Sequence, residues 1–256
     1  MRDVIILLTC HEDTKCVIDN VNNYKRYMPG CMILINDSTG IFRDDKQCFS
    51  SYEDVIIIDN SMDRKGMNMI PTHIAFCDFM KKNNLTSKYV LMMASNQLFI
   101  KDGFLDYMKQ YNGSYYERGL PRGLTEGEAS KSKILKKFVD LIGIEHFKYH
   151  SNHDGMFFLY EDFIEMMDFL DEYRHITDHA DFNVQEEFLY ATFLVKKRDE
   201  KTLAQFKDYS YWSWNKAYRD LDDLNECFDR GLYMVKRVQR VYDDPVRSEI
   251  RRLGKY

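Results

Sequence analysis

An α/β fold with a mostly parallel central sheet and helices on both faces is predicted by three features of the sequence. Short apolar runs alternate with segments of helical periodicity through the first half of the chain. The first run, Val4-Ile5-Ile6-Leu7-Leu8, is apolar at every position, as strands buried on both faces are. Each run also ends in polar residues of the kind that line a ligand crevice at the carboxyl edge of an open sheet.

The elements follow in order. Residues 4–9 form the first strand, too short for a signal-peptide core or a membrane span, so the chain is expected to begin directly with its fold. A helix is expected over about 13–27, a second strand over 32–36 and a third over 54–59. Residues 71–83 form a helix on the stripe Ile74, Cys77, Phe79 and Met80, and 89–94 a fourth strand, giving a β-α-β-β-α-β order. The strand exits are Thr9-Cys10-His11-Glu12, Asn36-Asp37-Ser38, Asp59-Asn60 and Ser95-Asn96. Polar residues mark most strand exits, so each is weak alone; the four together place a site on this edge. Residues 112–130 carry Gly113, Gly119, Pro121, Gly123 and Gly127 and read as a mobile loop, either a lid or a surface excursion. A helix with a solvated lysine face is expected over 130–141, a strand over 156–159, and a helix over 162–173 that turns Phe163, Met166, Met167 and Leu170 to the core. Further helices are expected over 184–195, near 221–228 and from Pro245 onward.

The 256 residues suit a single domain. With 45% hydrophobic and 30% charged residues the chain is globular. A net charge of −5 argues against a nucleic-acid partner. The six cysteines are scattered with no CxxC pair, which argues against zinc or a disulfide framework and for a reducing, cytoplasmic setting.

Four features bear on chemistry. On the 184–195 helix, Val184, Phe188, Ala191, Leu194 and Val195 share one face, and Glu187 falls within it. Asn183 and Glu186 have capping-box spacing, which gives Glu186 a structural duty and leaves Glu187 as either a general base beside a cleft or a buried carboxylate paired with a core arginine. Lys236-Arg237-x-x-Arg240 is either a diphosphate-binding cluster or surface basicity. Trp212 and Trp214 are either a stacking platform for a sugar or a core plug. Finally, there is no GxGxxG after the first strand, no GxxxxGK[ST], GxSxG or HExxH, and no Asp-x-Asp after a core strand where a metal-dependent transferase would hold its cation. His11, His153, His175 and His179 make no recognisable ligand set, so neither metal nor cofactor is expected.

Several segments together resemble the core-2/I-branching β-1,6-N-acetylglucosaminyltransferase family. Glu187-Phe188-Leu189-Tyr190-Ala191-Thr192 is similar to the family segment whose Glu is the catalytic base. Leu232-Tyr233-Met234-Val235-Lys236-Arg237-Val238 is similar to the segment whose basic residue contacts the donor diphosphate. Trp212-x-Trp214 resembles an aromatic element of the sugar site. His153-Asp154-Gly155-Met156-Phe157-Phe158-Leu159 and Tyr89-Val90-Leu91-Met92-Met93-Ala94-Ser95 occupy the places of two family strands. The chain departs from the pattern at Asn96-Gln97-Leu98-Phe99, where the family has Gly-x-Asp-Tyr-Pro, and lacks a Gly-Ser pair before Met156.

The resemblance implies a GT-A-type, inverting, metal-independent glycosyltransferase that takes a nucleotide-diphosphate donor, a UDP-sugar, to a glycan hydroxyl. It also implies a split of the single domain into a nucleotide-binding half, 1–111, and an acceptor and catalytic half, 150–256. It implies Glu187 as general base, His11, Asp37, Ser95, Lys236, Arg237 and Arg240 on the donor side, and Asp154, Trp212 and Trp214 on the acceptor and sugar side. The alternatives are a GT-A transferase of another family, retaining included, and a non-catalytic carbohydrate-binding relative.

Overall fold

The computed structural model describes residues 2–11, 13–37, 40, 42, 46–58, 69–116, 154–177, 186–211 and 216–256, without the side chains of 46, 47, 187 and 188. Strands are β1 (Arg2–Cys10), β2 (Met32–Asp37), β3 (Val55–Ile58), β4 (Ser87–Ala94), β5 (Gln97–Phe99), β6 (Gly113–Tyr115), β7 (Phe157–Leu159), β8 (Leu203–Gln205), β9 (Ser210–Tyr211) and β10 (Met234–Lys236). Helices are α1 (Thr14–Tyr27), α2 (Ile70–Lys82), α3 (Phe104–Met108), α4 (Tyr160–Glu172), α5 (Arg174–Thr177), α6 (Glu186–Lys197), α7 (Leu221–Asp229) and α8 (Pro245–Gly254).

β1 is apolar throughout because both its faces are covered. Val4, Ile6, Leu8 and Cys10 face a core shared with Val17, Val21 and Tyr24 of α1, while Ile5 and Leu7 face one shared with Ile74, Cys77 and Met80 of α2. β2 and β4 flank β1 in parallel, with Thr9 level with both Asn36 and Ala94. β3 extends the parallel set beyond β2. β7 then runs antiparallel to β4, β6 antiparallel to β7, and β8 parallel to β6, so the sheet order is β3-β2-β1-β4-β7-β6-β8. The predicted α/β class with a mostly parallel sheet and helices on both faces is the observed one.

The predicted loop over 112–130 is corrected in its first part, since Gly113–Tyr115 is a central-sheet strand. Gly113 is needed for close approach rather than for a turn: a Cβ there would sit 3.2 Å from the Phe157 carbonyl oxygen and 3.4 Å from the Leu194 side chain. Residues 117–130, like the helix expected over 130–141, lie outside the described residues. All six cysteines are free, and burial pushes the thiols of Cys31, Cys77 and Cys227 up, to about 11, 12 and 12.

A second, smaller sheet, β5-β10-β9, is set against the exit of β4, and α1 holds it there. The amide of Asn23 donates to the Phe99 carbonyl at 2.9 Å and accepts from the Phe99 N–H at 2.8 Å. The Tyr24 hydroxyl donates to the carbonyls of Ala94 and Gln97, and Asn20 donates to that of Ser95 at 2.9 Å. These polar groups on the inner face of α1 are buried because they satisfy backbone that neither sheet pairs.

Arg247 of α8 completes this arrangement and is fully buried. Its guanidinium donates to Asp19 Oδ2 at 2.8 Å, Asn20 Oδ1 at 2.9 Å, the Ser95 carbonyl at 2.6 Å and the Gln239 carbonyl at 2.6 Å. Arg247→Met is expected to cost about 3–5 kcal/mol in urea denaturation, because it removes the 2.8 Å partner of the buried Asp19 carboxylate and leaves it only Arg251 at 3.3 Å. The double variant Asp19→Asn/Arg247→Met is expected to lose less than the single one.

Candidate functional site

The exit of β4 becomes a site because two strands too short to stand alone pair beside it. After Ala94 the chain turns at Ser95-Asn96 and re-enters as β5, and β10 pairs antiparallel with β5 so that Lys236 lies level with Gln97. β10 ends there. Arg237 adopts a left-handed backbone at φ 70°, a conformation that costs a non-glycine residue about 1–3 kcal/mol. The turn is secured on both sides: the Val238 N–H donates to the Asn96 carbonyl at 3.0 Å, and the Arg219 N–H to the Arg237 carbonyl at 3.0 Å. The guanidinium of Arg237 donates to the Lys216 carbonyl at 3.1 Å, and Arg240 Nε to Ser95 Oγ at 3.3 Å.

The opposite wall is the Asp154-Gly155 turn that leads into β7. Gly155 N–H donates to the Met92 carbonyl at 2.6 Å, which anchors the turn to β4. Gly155 has φ 92°, and a Cβ on it would lie 2.3 Å from Gln97 Nε2 and 2.8 Å from the Phe206 ring. With the turn pressed against Gln97, Asp154 Oδ2 meets Lys236 Nζ at 2.5 Å. Lys236, Arg237, Arg240 and Arg247 are bonded to the turn or adjoin it, against the carboxylates of Asp19 and Asp154. Four basic side chains are thus gathered around the exit of β4, with Asp19 and Asp154 among their partners.

The structure thus brings Ser95, Asp154, Lys236, Arg237 and Arg240 together, and it joins Asp154 and Lys236 directly although the sequence reading put them on opposite sides of the site. His11 and Asp37 lie along the same edge, Cys10 being level with Asp37. The Asp37 carboxylate accepts from the N–H groups of Gly40 at 2.8 Å and Phe42 at 2.7 Å, so it also shapes the chain leaving β2. Trp212 and Trp214 lie outside the described residues, as does His153; Tyr211, just before the tryptophans, pairs with Val235 in the small sheet.

Glu187 is in the first turn of α6, with its side chain outside the described set. The helix is nonetheless oriented. Its far end is tied by Arg198, which closes on Asp162 with two 2.8 Å hydrogen bonds, and Asp162 follows β7 at the amino edge of the sheet. Twelve residues of helix cover about 18 Å, so the first turn reaches back to the carboxyl edge. There His73, in the first turn of α2, bonds the Tyr190 hydroxyl through Nδ1 at 2.7 Å.

The expected apolar face of this helix holds at Ala191 and Leu194, and the buried positions continue through Tyr190 to Glu186. Glu186 is 1% exposed. Burial, and then the Glu186 charge, raise the Tyr190 hydroxyl well above its ordinary pKa. Asn183, the capping partner assigned to Glu186, lies outside the described residues.

Sequence reasoning missed Gln97, Gly155 and Arg247. Only Gly155 carried a signal, a glycine directly before an apolar run. Among the described residues no group of three or more His, Cys, Asp or Glu side chains could hold a metal ion, and no helix is long and apolar enough to cross a membrane. A separate depression lined by Arg26, Tyr27, Lys101, Asp102, Phe228 and Leu253 lies at the other end of α1, away from this edge.

No family model matches the chain. No curated protein matches it either. Among solved structures it is similar to the apo form of the glycosyltransferase GlyE of Streptococcus pneumoniae TIGR4, with a TM-score of 0.53 and 10% identity. The likeness covers 100% of this chain and 61% of that one, so the chain spans under two thirds of the length of the protein it resembles. What the two chains share is the fold; the likeness to the core-2/I-branching family rests on the sequence segments alone.

Gly155→Ala is expected to destabilise the protein more than Gly30→Ala, both measured by urea denaturation. Both glycines have positive φ, but a Cβ at Gly30 meets nothing within 4 Å. Backbone strain of about 1–3 kcal/mol is common to the two, and the excess at Gly155 reports the clash with Gln97 and Phe206.

Proposed function

We propose that this chain is an inverting glycosyltransferase that moves a sugar from a nucleotide-diphosphate donor, a UDP-sugar, to a glycan hydroxyl without a metal ion. The observation that carries the reading is the basic cluster at the exit of β4. Pairing of β10 with β5 delivers Lys236, Arg237 and Arg240 to the edge where an open α/β sheet binds ligands. The turn at that exit carries Ser95 and Asn96, a neutral hydroxyl and a neutral amide, followed by Gln97. Fixed cations are suited to the part a divalent ion plays in other transferases, namely countering charge on the leaving diphosphate.

In this mechanism Lys236 and Arg237, with Arg240, hold the diphosphate. His11, Asp37 and Ser95 border the nucleoside along the same edge, and Asp154 with Trp212 and Trp214 bounds the sugar and acceptor. Glu187 takes the proton of the acceptor hydroxyl. That oxygen bonds to the anomeric carbon as the carbon–oxygen bond to the diphosphate breaks on the opposite face. The sugar is transferred with inversion, the proton rests on Glu187 and the nucleoside diphosphate departs. The location of α6 supports this role, since its first turn lies at the carboxyl edge. The free cysteines accord with a cytoplasmic enzyme.

Thermal stability measured with UDP, GDP, dTDP and CMP, each in EDTA and again with Mn²⁺, tests the donor site. UDP at a hundred times its dissociation constant is expected to add about 2.7 kcal/mol in EDTA. Stabilisation that requires Mn²⁺ would overturn the metal-free reading, and no stabilisation by any nucleotide would favour a carbohydrate-binding protein. Separately, Glu187→Gln is expected to keep UDP binding while the rate of UDP release from the donor falls roughly 10²–10⁴-fold. Undiminished turnover would remove Glu187 from the mechanism, and a retained anomeric configuration in the product, read by NMR, would remove inversion.

A further inference from the structure

We infer that Asp154 makes the site distinguish a sugar diphosphate from a bare nucleoside diphosphate, favouring the donor and expelling the product. This rests on the reading of Lys236 as a diphosphate ligand. Its basis is the geometry of the Lys236–Asp154 pair, in which the two side chains are 7% and 21% exposed and 2.5 Å apart. Neither partner can withdraw easily. Lys236 ends a strand paired with β5, and the Asp154-Gly155 turn is fastened to Met92 and pressed against Gln97. An ammonium presents three donors, so a phosphate can share Lys236 with Asp154 rather than displace it. Two acceptors on one ammonium stand roughly 5 Å apart, from hydrogen bonds of about 2.8 Å each.

At that separation Asp154 senses the charge of the terminal phosphate. In a sugar diphosphate that phosphate is a diester-like group bearing one negative charge. Once the sugar has gone it becomes a terminal monoester-like phosphate of charge about −1.5 to −2 near neutral pH. The added charge faces a carboxylate in a partly shielded setting, where like charges repel more strongly than in water. Before transfer the same carboxylate, an acceptor only, is suited to sugar hydroxyls, which are donors. Asp154 therefore assists the substrate complex and opposes the product complex at one position. Lys236 alone would do the reverse, binding the more highly charged product more tightly.

The test is calorimetric titration of the full chain, in EDTA, with UDP, UDP-glucose and UDP-N-acetylglucosamine. The wild type is expected to bind at least one of the sugar nucleotides more tightly than UDP. In Asp154→Asn the ratio of the UDP dissociation constant to that of the same sugar nucleotide is expected to fall about tenfold or more, chiefly because UDP binds more tightly. Asp154→Glu, which keeps the charge, is expected to preserve the wild-type order. A second measurement needs no variant: the β-methyl ester of UDP, which carries one charge fewer and no sugar, is expected to bind the wild type more tightly than UDP. Equal changes for UDP and sugar nucleotide in Asp154→Asn, or an ester that binds more weakly than UDP, would overturn the inference and leave the donor site standing. Failure of the wild type to bind any of these nucleotides would overturn the donor-site reading itself, and this inference with it.

Discussion

The buried guanidinium of Arg247 is the point on which the geometry of this edge depends. A fully buried arginine is tolerated only when each of its donors is satisfied and its charge is met. Here one guanidinium bonds Asp19 and Asn20 of α1, the carbonyl of Ser95 at the exit of β4, and the carbonyl of Gln239 beyond β10. Three regions far apart in the sequence are thereby held at hydrogen-bond distance from a single planar group. Arg251, one helical turn further along α8, adds a second contact to Asp19 at 3.3 Å. The planar fork of arginine can bridge such a set, whereas the single ammonium of lysine cannot.

From that anchor the site follows by short steps. Arg247 fixes the Ser95 backbone, Ser95 Oγ meets Arg240, and the Asn96 carbonyl accepts from Val238. The left-handed turn at Arg237 is thus spanned on both sides by backbone hydrogen bonds, which is how a strained conformation persists. Lys236 is presented at the end of a three-residue strand, and the Asp154-Gly155 turn meets it from the other wall. The charge at this edge is therefore preorganised: the cations are set by backbone pairing, not left on free side chains.

The second face of the central sheet has a different character. There α2, α4 and α6 pack through Ile74, Met80, Phe163, Met166, Met167, Ala191 and Leu194. Polar groups within it are concentrated at Asp162 with Arg198 near the amino edge and at His73, Tyr190 and Glu186 near the carboxyl edge. The two clusters sit at opposite ends of α6 and set its slide along the sheet. The helix that carries Glu187 is accordingly placed by buried polar contacts at both ends as well as by its apolar stripe.

The sequence by itself determined the parallel half of the sheet, its two covering faces and the edge at which polar residues gather. Val4–Leu8 with no polar interruption, the stripe of α2, and the polar ends at Cys10-His11, Asn36-Asp37 and Ser95 were all legible, because burial on two faces and helical periodicity leave local patterns. Lys236-Arg237-x-x-Arg240 was legible as chemistry but not as position. Only the tertiary structure decided that β10 pairs with β5, that Gly113 opens a central strand inside a glycine-rich stretch, that Asp154 faces Lys236, and that Glu186 is buried. The reason is physical. Strands of three residues are too short to show a period, pairing between residues 97 and 236 is invisible to any local window, and a buried polar side chain differs from a surface one only in the partners that folding brings to it.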